Sequence, residues 1–167
     1  MAYKKMSYNE LLQNYIFKKY QMNTSTTFQG KVLPKMIIPY DMFSEKSSFW
    51  ELKAYEPCGA IFSNTIDMSK FLKAQLDTQN KELVLTQTPT FVIDSHKSIG
   101  LGWFILKSKL QHDVLYHNGA VGNFSSNISI DLNESKGVII LSSISFILID
   151  DLLDKLNLSL LNLKNDK

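Results

Sequence analysis

His117-Asn118-Gly119-Ala120-Val121-Gly122-Asn123-Phe124-Ser125-Ser126 lies between segments whose hydrophobicity has the period of a strand. Upstream is Leu101-Gly102-Trp103-Phe104-Ile105-Leu106. Downstream are Asn127-Ile128-Ser129-Ile130-Asp131-Leu132 and Gly137-Val138-Ile139-Ile140-Leu141-Ser142. Leu101, Trp103 and Ile105 share one face, as do Ile128, Ile130 and Leu132. Val138 to Leu141 is continuously apolar and reads as a strand covered on both faces. The spacing predicts strands near 100–106, 114–120, 124–132 and 136–142 of one antiparallel sheet. A turn over Asp131 to Gly137 has its glycine at the end. Gly119 and Gly122 carry no Cβ, so another backbone can approach them closely. By its local chemistry the stretch is a hairpin with a Gly-rich turn.

Helical signals surround this sheet. Ser7-Tyr8-Asn9-Glu10 fits a capping box, and Leu11, Leu12, Tyr15 and Ile16 continue at helical spacing, which predicts a helix over 8–20. Ser63-Asn64-Thr65 offers a cap for a second helix with Met68, Phe71, Leu72 and Leu76 on its apolar face. A short helix fits Lys81 to Gln87, ended by Pro89. Residues 30–57 carry Pro34, Pro39 and Pro57 and read as irregular. The last element is a helix over 146–163 with Ile149, Leu152, Leu153, Leu156, Leu160 and Leu163 on one side. That side needs a cover, and the preceding strands are the nearest candidate. The fold class is α+β: an antiparallel sheet with flanking helices. Residues 1–98 form a mostly helical and irregular part, and residues 99–167 the strands and last helix.

Composition narrows the function classes. The 167 residues are 44% hydrophobic and 20% charged, which suits a folded domain. A net charge of +2 without a Lys/Arg cluster argues against nucleic acid. The single cysteine, Cys58, forms no internal disulfide and is expected to be packed in its small-residue turn. Trp50, Tyr55 and Trp103 are expected in the core. His112 and His117 are five residues apart and face opposite sides of a strand, so no metal site is indicated, nor any cofactor. Asp94 and His96 lack the G-x-S-x-G elbow that a hydrolase triad uses. No apolar run is long enough to span a membrane and the N-terminus lacks a signal-peptide core. With Met1 as the native start, the expected location is cytoplasmic.

The landmarks taken in order resemble a known family. Pro57-Cys58-Gly59-Ala60-Ile61-Phe62-Ser63-Asn64-Thr65-Ile66-Asp67-Met68-Ser69-Lys70-Phe71 is similar to the P-x-G-G-hydrophobic-x-S-T-x-x-D-M-x-x-F stretch of class C β-lactamase-like serine hydrolases. Tyr20-Gln21-Met22-Asn23-Thr24 resembles their P-L-G-M-x-x-T element, and Ile99-Gly100-Leu101-Gly102-Trp103 their Y-G-L-G-W strand. His117-Asn118-Gly119 with Gly122-Asn123-Phe124-Ser125-Ser126 resembles H-x-G-x-x-x-G-F-S-S. Lys136 to Ser142 resembles their closing x-G-V-V-V-L-S-N strand. The family includes β-lactamases, D-Ala-D-Ala peptidases and esterases, whose full-length members are commonly exported. The resemblance implies the C-terminal portion of the β-lactamase/transpeptidase-like fold, so that the chain forms one partial domain.

The resemblance also assigns roles. His117 would take the place of the cation that orients the substrate or assists proton transfer. Asn118 and Gly119 would line the substrate, and the Ala120 N–H would serve the oxyanion hole. Such enzymes acylate the Ser of S-x-x-K with help from Y-x-N. No Ser in these 167 residues has Lys three positions later, and Tyr116-His117-Asn118 overlaps the third motif rather than preceding it. The chain is therefore expected to be inactive alone, and to meet a small-molecule or peptide substrate only with the missing N-terminal half. Self-association through an exposed sheet edge or helix faces is expected. The alternative is a non-enzymatic protein of the same ancestry that binds a peptide or partner by its strand edge.

Overall fold

Gly122 (φ +54°) and Asn123 (φ +64°) close a two-residue loop between strands Asp113–Val121 and Phe124–Asp131. Two consecutive positive φ values define the type I′ turn, whose twist matches that of the strands it joins. A side chain at Gly122 would start 3.2 Å from Trp50 Cγ, a tight approach, and the positive φ there favours glycine. Asn123 holds the turn from outside by donating from Nδ2 to Ser47 Oγ at 2.9 Å. The computed structural model describes residues 5–107 and 112–162.

Six strands lie side by side in chain order: β1 (Phe91–Val92), β2 (Lys97–Ile99), β3 (Phe104–Lys107), β4 (Asp113–Val121), β5 (Phe124–Asp131) and β6 (Lys136–Ser142). β3 pairs with β4 antiparallel, from Lys107 opposite Asp113 to Phe104 opposite Tyr116. The helices are α1 (Tyr8–Leu12), α2 (Gln29–Val32), α3 (Glu56–Gly59), α4 (Thr65–Gln75), α5 (Lys81–Gln87) and α6 (Phe146–Leu161). The α+β class, the antiparallel sheet and the helices at its flanks agree with the sequence. Among the described residues, no helix is long and apolar enough to cross a membrane.

Backbone contacts divide the chain into two interleaved units. One holds the described residues up to Phe71 with Ala120–Ser125 and Leu141–Leu148. The other holds Leu72–Gly119, Ser126–Ile140 and the described residues from Ile149 onward.

In the first unit, Ser7 caps α1 as predicted: its Oγ accepts from the Glu10 N–H, and its own N–H donates to Glu10 Oε2 at 2.7 Å. The predicted helix over 8–20 widens after Leu12 into a π-helical turn, Gln13–Phe17. Residues 30–57 are short turns with α2 and α3, and Tyr40 bridges to Lys46 and Ile144. Asp67, in the first turn of α4, is 2% exposed. Its Oδ2 accepts from the Thr24 hydroxyl at 2.6 Å, the Thr24 N–H at 2.8 Å and the Ser25 hydroxyl at 3.0 Å. Lys70 Nζ reaches Oδ1 at 3.0 Å and the Gln21 carbonyl at 2.6 Å. Burial alone would raise the Asp67 pKa, but these donors outweigh it and hold the pKa at about 2. Thr24 and Asp67 belong to two different sequence landmarks, and these hydrogen bonds are what joins them.

In the second unit, Trp103, Ile105, Val114, Leu115, Ile130, Leu153 and Leu161 are buried. α6 meets β4 and β5 through polar groups. Asp154 Oδ1 accepts from the Tyr116 hydroxyl at 2.7 Å and from Asn127 Nδ2 at 2.6 Å, and Asn157 Nδ2 donates to Asn127 Oδ1 at 2.6 Å.

Several expectations need correction. The segment near 100–106 begins as a turn, with Gly102 at φ +82° and Leu101 exposed, and pairs only from Phe104. A side chain at Gly100 would collide with the Thr86 carbonyl oxygen at 2.4 Å. β1 and β2 were not anticipated, being two and three residues long. The turn after β5 takes its left-handed residue at Ser135 (φ +51°). Gly137 lies inside β6, where a Cβ would strike Leu72 at 2.5 Å. β6 is the last strand in the order, half-buried with Leu141 exposed, so it is not covered on both faces. Cys58 is exposed, and so are Trp50 and Tyr55. Of the apolar side predicted for the last helix, Leu153 is buried but Leu152, Leu156 and Leu160 are exposed. Leu163 lies outside the described residues.

Candidate functional site

The hairpin fixes which backbone groups of β4 face which neighbour. In a two-residue loop the flanking residues, Val121 and Phe124, exchange both hydrogen bonds, and antiparallel pairing alternates from there. Gly119 and His117 therefore turn their backbone groups toward β5. Ala120, Asn118 and Tyr116 turn theirs toward the opposite side. There β3 pairs as far as Tyr116 and no further, since its first residue, Phe104, stands opposite Tyr116. The N–H and C=O of Asn118 and Ala120 thus point past the end of β3, along an edge that β3 does not cover. Ala120 is exposed and Asn118 half-buried.

The predicted residues share this edge. His117 is exposed, and its imidazole stacks on Phe104 with centroids 6.2 Å apart and an interplanar angle of 26°. Lys97 Nζ sits 4.0 Å from the centroid of the same Phe104 ring, which places a cation beside the aromatic–imidazole pair. Gly119 leaves room for Ser126, whose Oγ lies 3.1 Å from where a Cβ would be.

Behind the edge is a support that the sequence pattern did not reveal. Tyr116, immediately before His117, is tied to Asp154 of α6, and Asn127 of β5 shares that carboxylate. In the other unit, the hairpin tip is packed by Phe49, which stacks on Phe124 at 5.8 Å, and Ser125 Oγ donates to the Ile144 carbonyl at 2.9 Å. Phe104 and Asp154 carry no local motif, and only the strand register and the helix phase locate them. The Tyr116 hydroxyl of the apparent Y-x-N is engaged by α6. Asp94 Oδ1 accepts the His96 backbone N–H at 2.7 Å in the β1–β2 turn, which gives that carboxylate a local structural role.

Comparison with known proteins decides the family. The Beta-lactamase family model matches residues 2–147. The chain belongs to the beta-lactamase family. Protein flp of Staphylococcus aureus (strain MW2) is 23% identical over 180 residues, covering 96% of this chain and 34% of that protein. A solved class C beta-lactamase superposes with a TM-score of 0.81 at 14% identity, over 97% of this chain and 53% of that one. The octameric penicillin-binding protein homologue from Pyrococcus abyssi gives 0.71 at 20% identity, over 88% and 38%. The chain thus spans about a third of the curated relative it matches and about half of the class C enzyme.

Proposed function

We propose that this chain supplies the substrate-facing strand of a serine hydrolase acting on β-lactams, D-Ala peptides or small esters, and that the nucleophile comes from outside residues 1–167. The observation that carries this reading is the edge of β4 that β3 leaves unpaired beyond Tyr116. A substrate laid along it would meet the Asn118 and Ala120 backbone groups as an added strand meets an edge. In this reading the Ala120 N–H donates to the oxyanion that develops during acyl transfer, where a preorganised donor is worth a factor of roughly 100–1,000 in rate. In the same reading His117, which stacks on Phe104, orients a substrate carboxylate or assists proton transfer. Gly119 lets the substrate backbone lie close to the strand.

Mechanistically, an oxyanion donor and an orienting imidazole stabilise charge, but they form no acyl-enzyme without an activated Ser. Purified residues 1–167 should give no mass shift with penicillin or a serine-reactive fluorophosphonate. Co-expression with an upstream half of a β-lactamase-family enzyme that bears S-x-x-K and Y-x-N should restore acylation. In that assembly Ala120→Pro should nearly abolish turnover and His117→Ala should lower it. An acyl adduct on a Ser of the chain alone would overturn the reading. The same uncovered edge favours a second reading, peptide binding by strand addition without catalysis. Backbone amide shifts confined to Asn118 and Ala120 on adding an extended peptide, with no gain of acylation in the assembly, would select it.

A further inference from the structure

Phe104 opens β3 at the point where that strand stops pairing with β4, and its ring meets three side chains. Its centroid lies 6.4 Å from that of Tyr116, 6.2 Å from that of His117 at an interplanar angle of 26°, and 4.0 Å from Lys97 Nζ. The register accounts for two of these contacts. Phe104 stands between Ile99 of β2 and Tyr116 of β4, and Lys97, two residues before Ile99, shares that face of the sheet. Consecutive strand residues point to opposite faces, so the contact with His117 is one that the register does not require. Lys97 is half-buried, and among the described residues no carboxylate pairs with its ammonium. The cation faces the Phe104 ring instead, well inside the ~6 Å over which an aromatic face attracts a charge.

We propose that Phe104 is a positioning residue for His117, and that the Lys97 ammonium holds the Phe104 ring in place. His117 is exposed, and an exposed histidine has several staggered χ1 wells and a broad χ2 open to it. Stacking selects the orientations in which the imidazole lies close to parallel with the ring. The ring itself needs fixing, because Phe104 is only half-buried and is the end residue of its strand. Tyr116, tied to Asp154, bounds it from β4, and Lys97 adds the cation from β2. One chain of contacts thus runs from β2 through β3 to the imidazole beside the unpaired edge of β4. Its effect on a rate rests on the hydrolase reading, whereas the stack itself does not.

NMR of the 167-residue chain reads the stack without any reaction. In the parent, scalar couplings should give His117 one dominant χ1 rotamer, and its ring protons should be displaced from the shifts of a free imidazole by the Phe104 ring current. Phe104→Leu should remove both signatures and Phe104→Tyr should keep them. Lys97→Met, which keeps the stem and loses the charge, should average the couplings in part. Should Phe104→Leu fail to fold, Lys97→Met still decides, because the charge reaches His117 only through the ring. A His117 already averaged in the parent overturns the proposal. Couplings unmoved by Phe104→Leu overturn its first half, and couplings unmoved by Lys97→Met its second. In the acylating assembly, Phe104→Leu should lower kcat about 10-fold with KM little changed, and Phe104→Tyr should restore it. In a His117→Ala background the same substitution should have no further effect, since nothing is left to position. A loss of equal size in both backgrounds makes Phe104 merely structural and overturns the positioning role. An assembly that never acylates defeats the hydrolase reading, and the NMR outcome then decides the stack alone.

Discussion

Asp67→Asn should make the stability of this protein less sensitive to acid, and the size of the effect follows from the Asp67 site. The carboxylate is buried, yet the Thr24 hydroxyl, Lys70, the Thr24 N–H and the Ser25 hydroxyl together bring its pKa from 3.8 down to about 2. A folded-state value below the ordinary one means that the charged form stabilises the fold. That stabilisation is fully present above the ordinary pKa near 4 and is lost as the pH falls through about 2. A shift of nearly two units corresponds to about 2–3 kcal/mol. For a chain of this length that is a Tm difference of about 5–10 °C. Urea unfolding of both proteins between pH 7 and pH 2, at constant salt, measures it. At pH 7 the variant should be less stable by about 2–3 kcal/mol, since an amide keeps one acceptor but loses the charge opposite Lys70 and presents an NH2 group where only acceptors fit. Other carboxylates titrate alike in both proteins and cancel in the difference. The gap should therefore narrow by about 2 kcal/mol as the pH falls from 5 to 2. Two parallel stability curves over that range would refute the assignment of acid sensitivity to Asp67.

Two further substitutions probe the frame around β4. Asp154→Ala removes the shared acceptor of Tyr116 and Asn127, and should cost about 2–4 kcal/mol in chemical denaturation because it strands a buried amide donor; a loss under 0.5 kcal/mol would show that α6 does not brace the strand. Gly122→Val should destabilise by about 2–3 kcal/mol through its left-handed φ and its approach to Trp50, whereas Asn123→Gly, which keeps the turn and loses the Ser47 hydrogen bond, should cost about 1 kcal/mol or less; equal thermal stabilities for the two variants would contradict the turn assignment.

What the sequence disclosed depended on whether a residue's neighbours in the fold are also its neighbours in the chain. The capping box at Ser7 and Glu10, the short helix over Lys81–Gln87 and the strands either side of Gly122 rest on contacts only a few residues apart, and local spacing was enough to read them. Several landmark residues turn out to have structural reasons. Thr24 is bonded to Asp67, Gly100 stands where a side chain would collide, and Gly122 holds a left-handed turn position. Ordered landmarks therefore reported the fold more directly than they reported chemistry. Where the sequence misled, a distant partner had changed the value of a side chain. Ile128 and Ile130 share one face of β5, yet Ser125, Asn127 and Ser129 of the other phase are buried and Ile128 is only half-buried; α6 meets Asn127 with Asp154 and Asn157. On the same helix Leu152, Leu156 and Leu160 are exposed. Hydrophobic periodicity assumes that apolar residues mark the buried face. On α6 the buried face mixes Leu153 and Leu161 with Asn157 and the Asp154 carboxylate, so burial there follows the partners on β4 and β5 and not hydrophobicity alone.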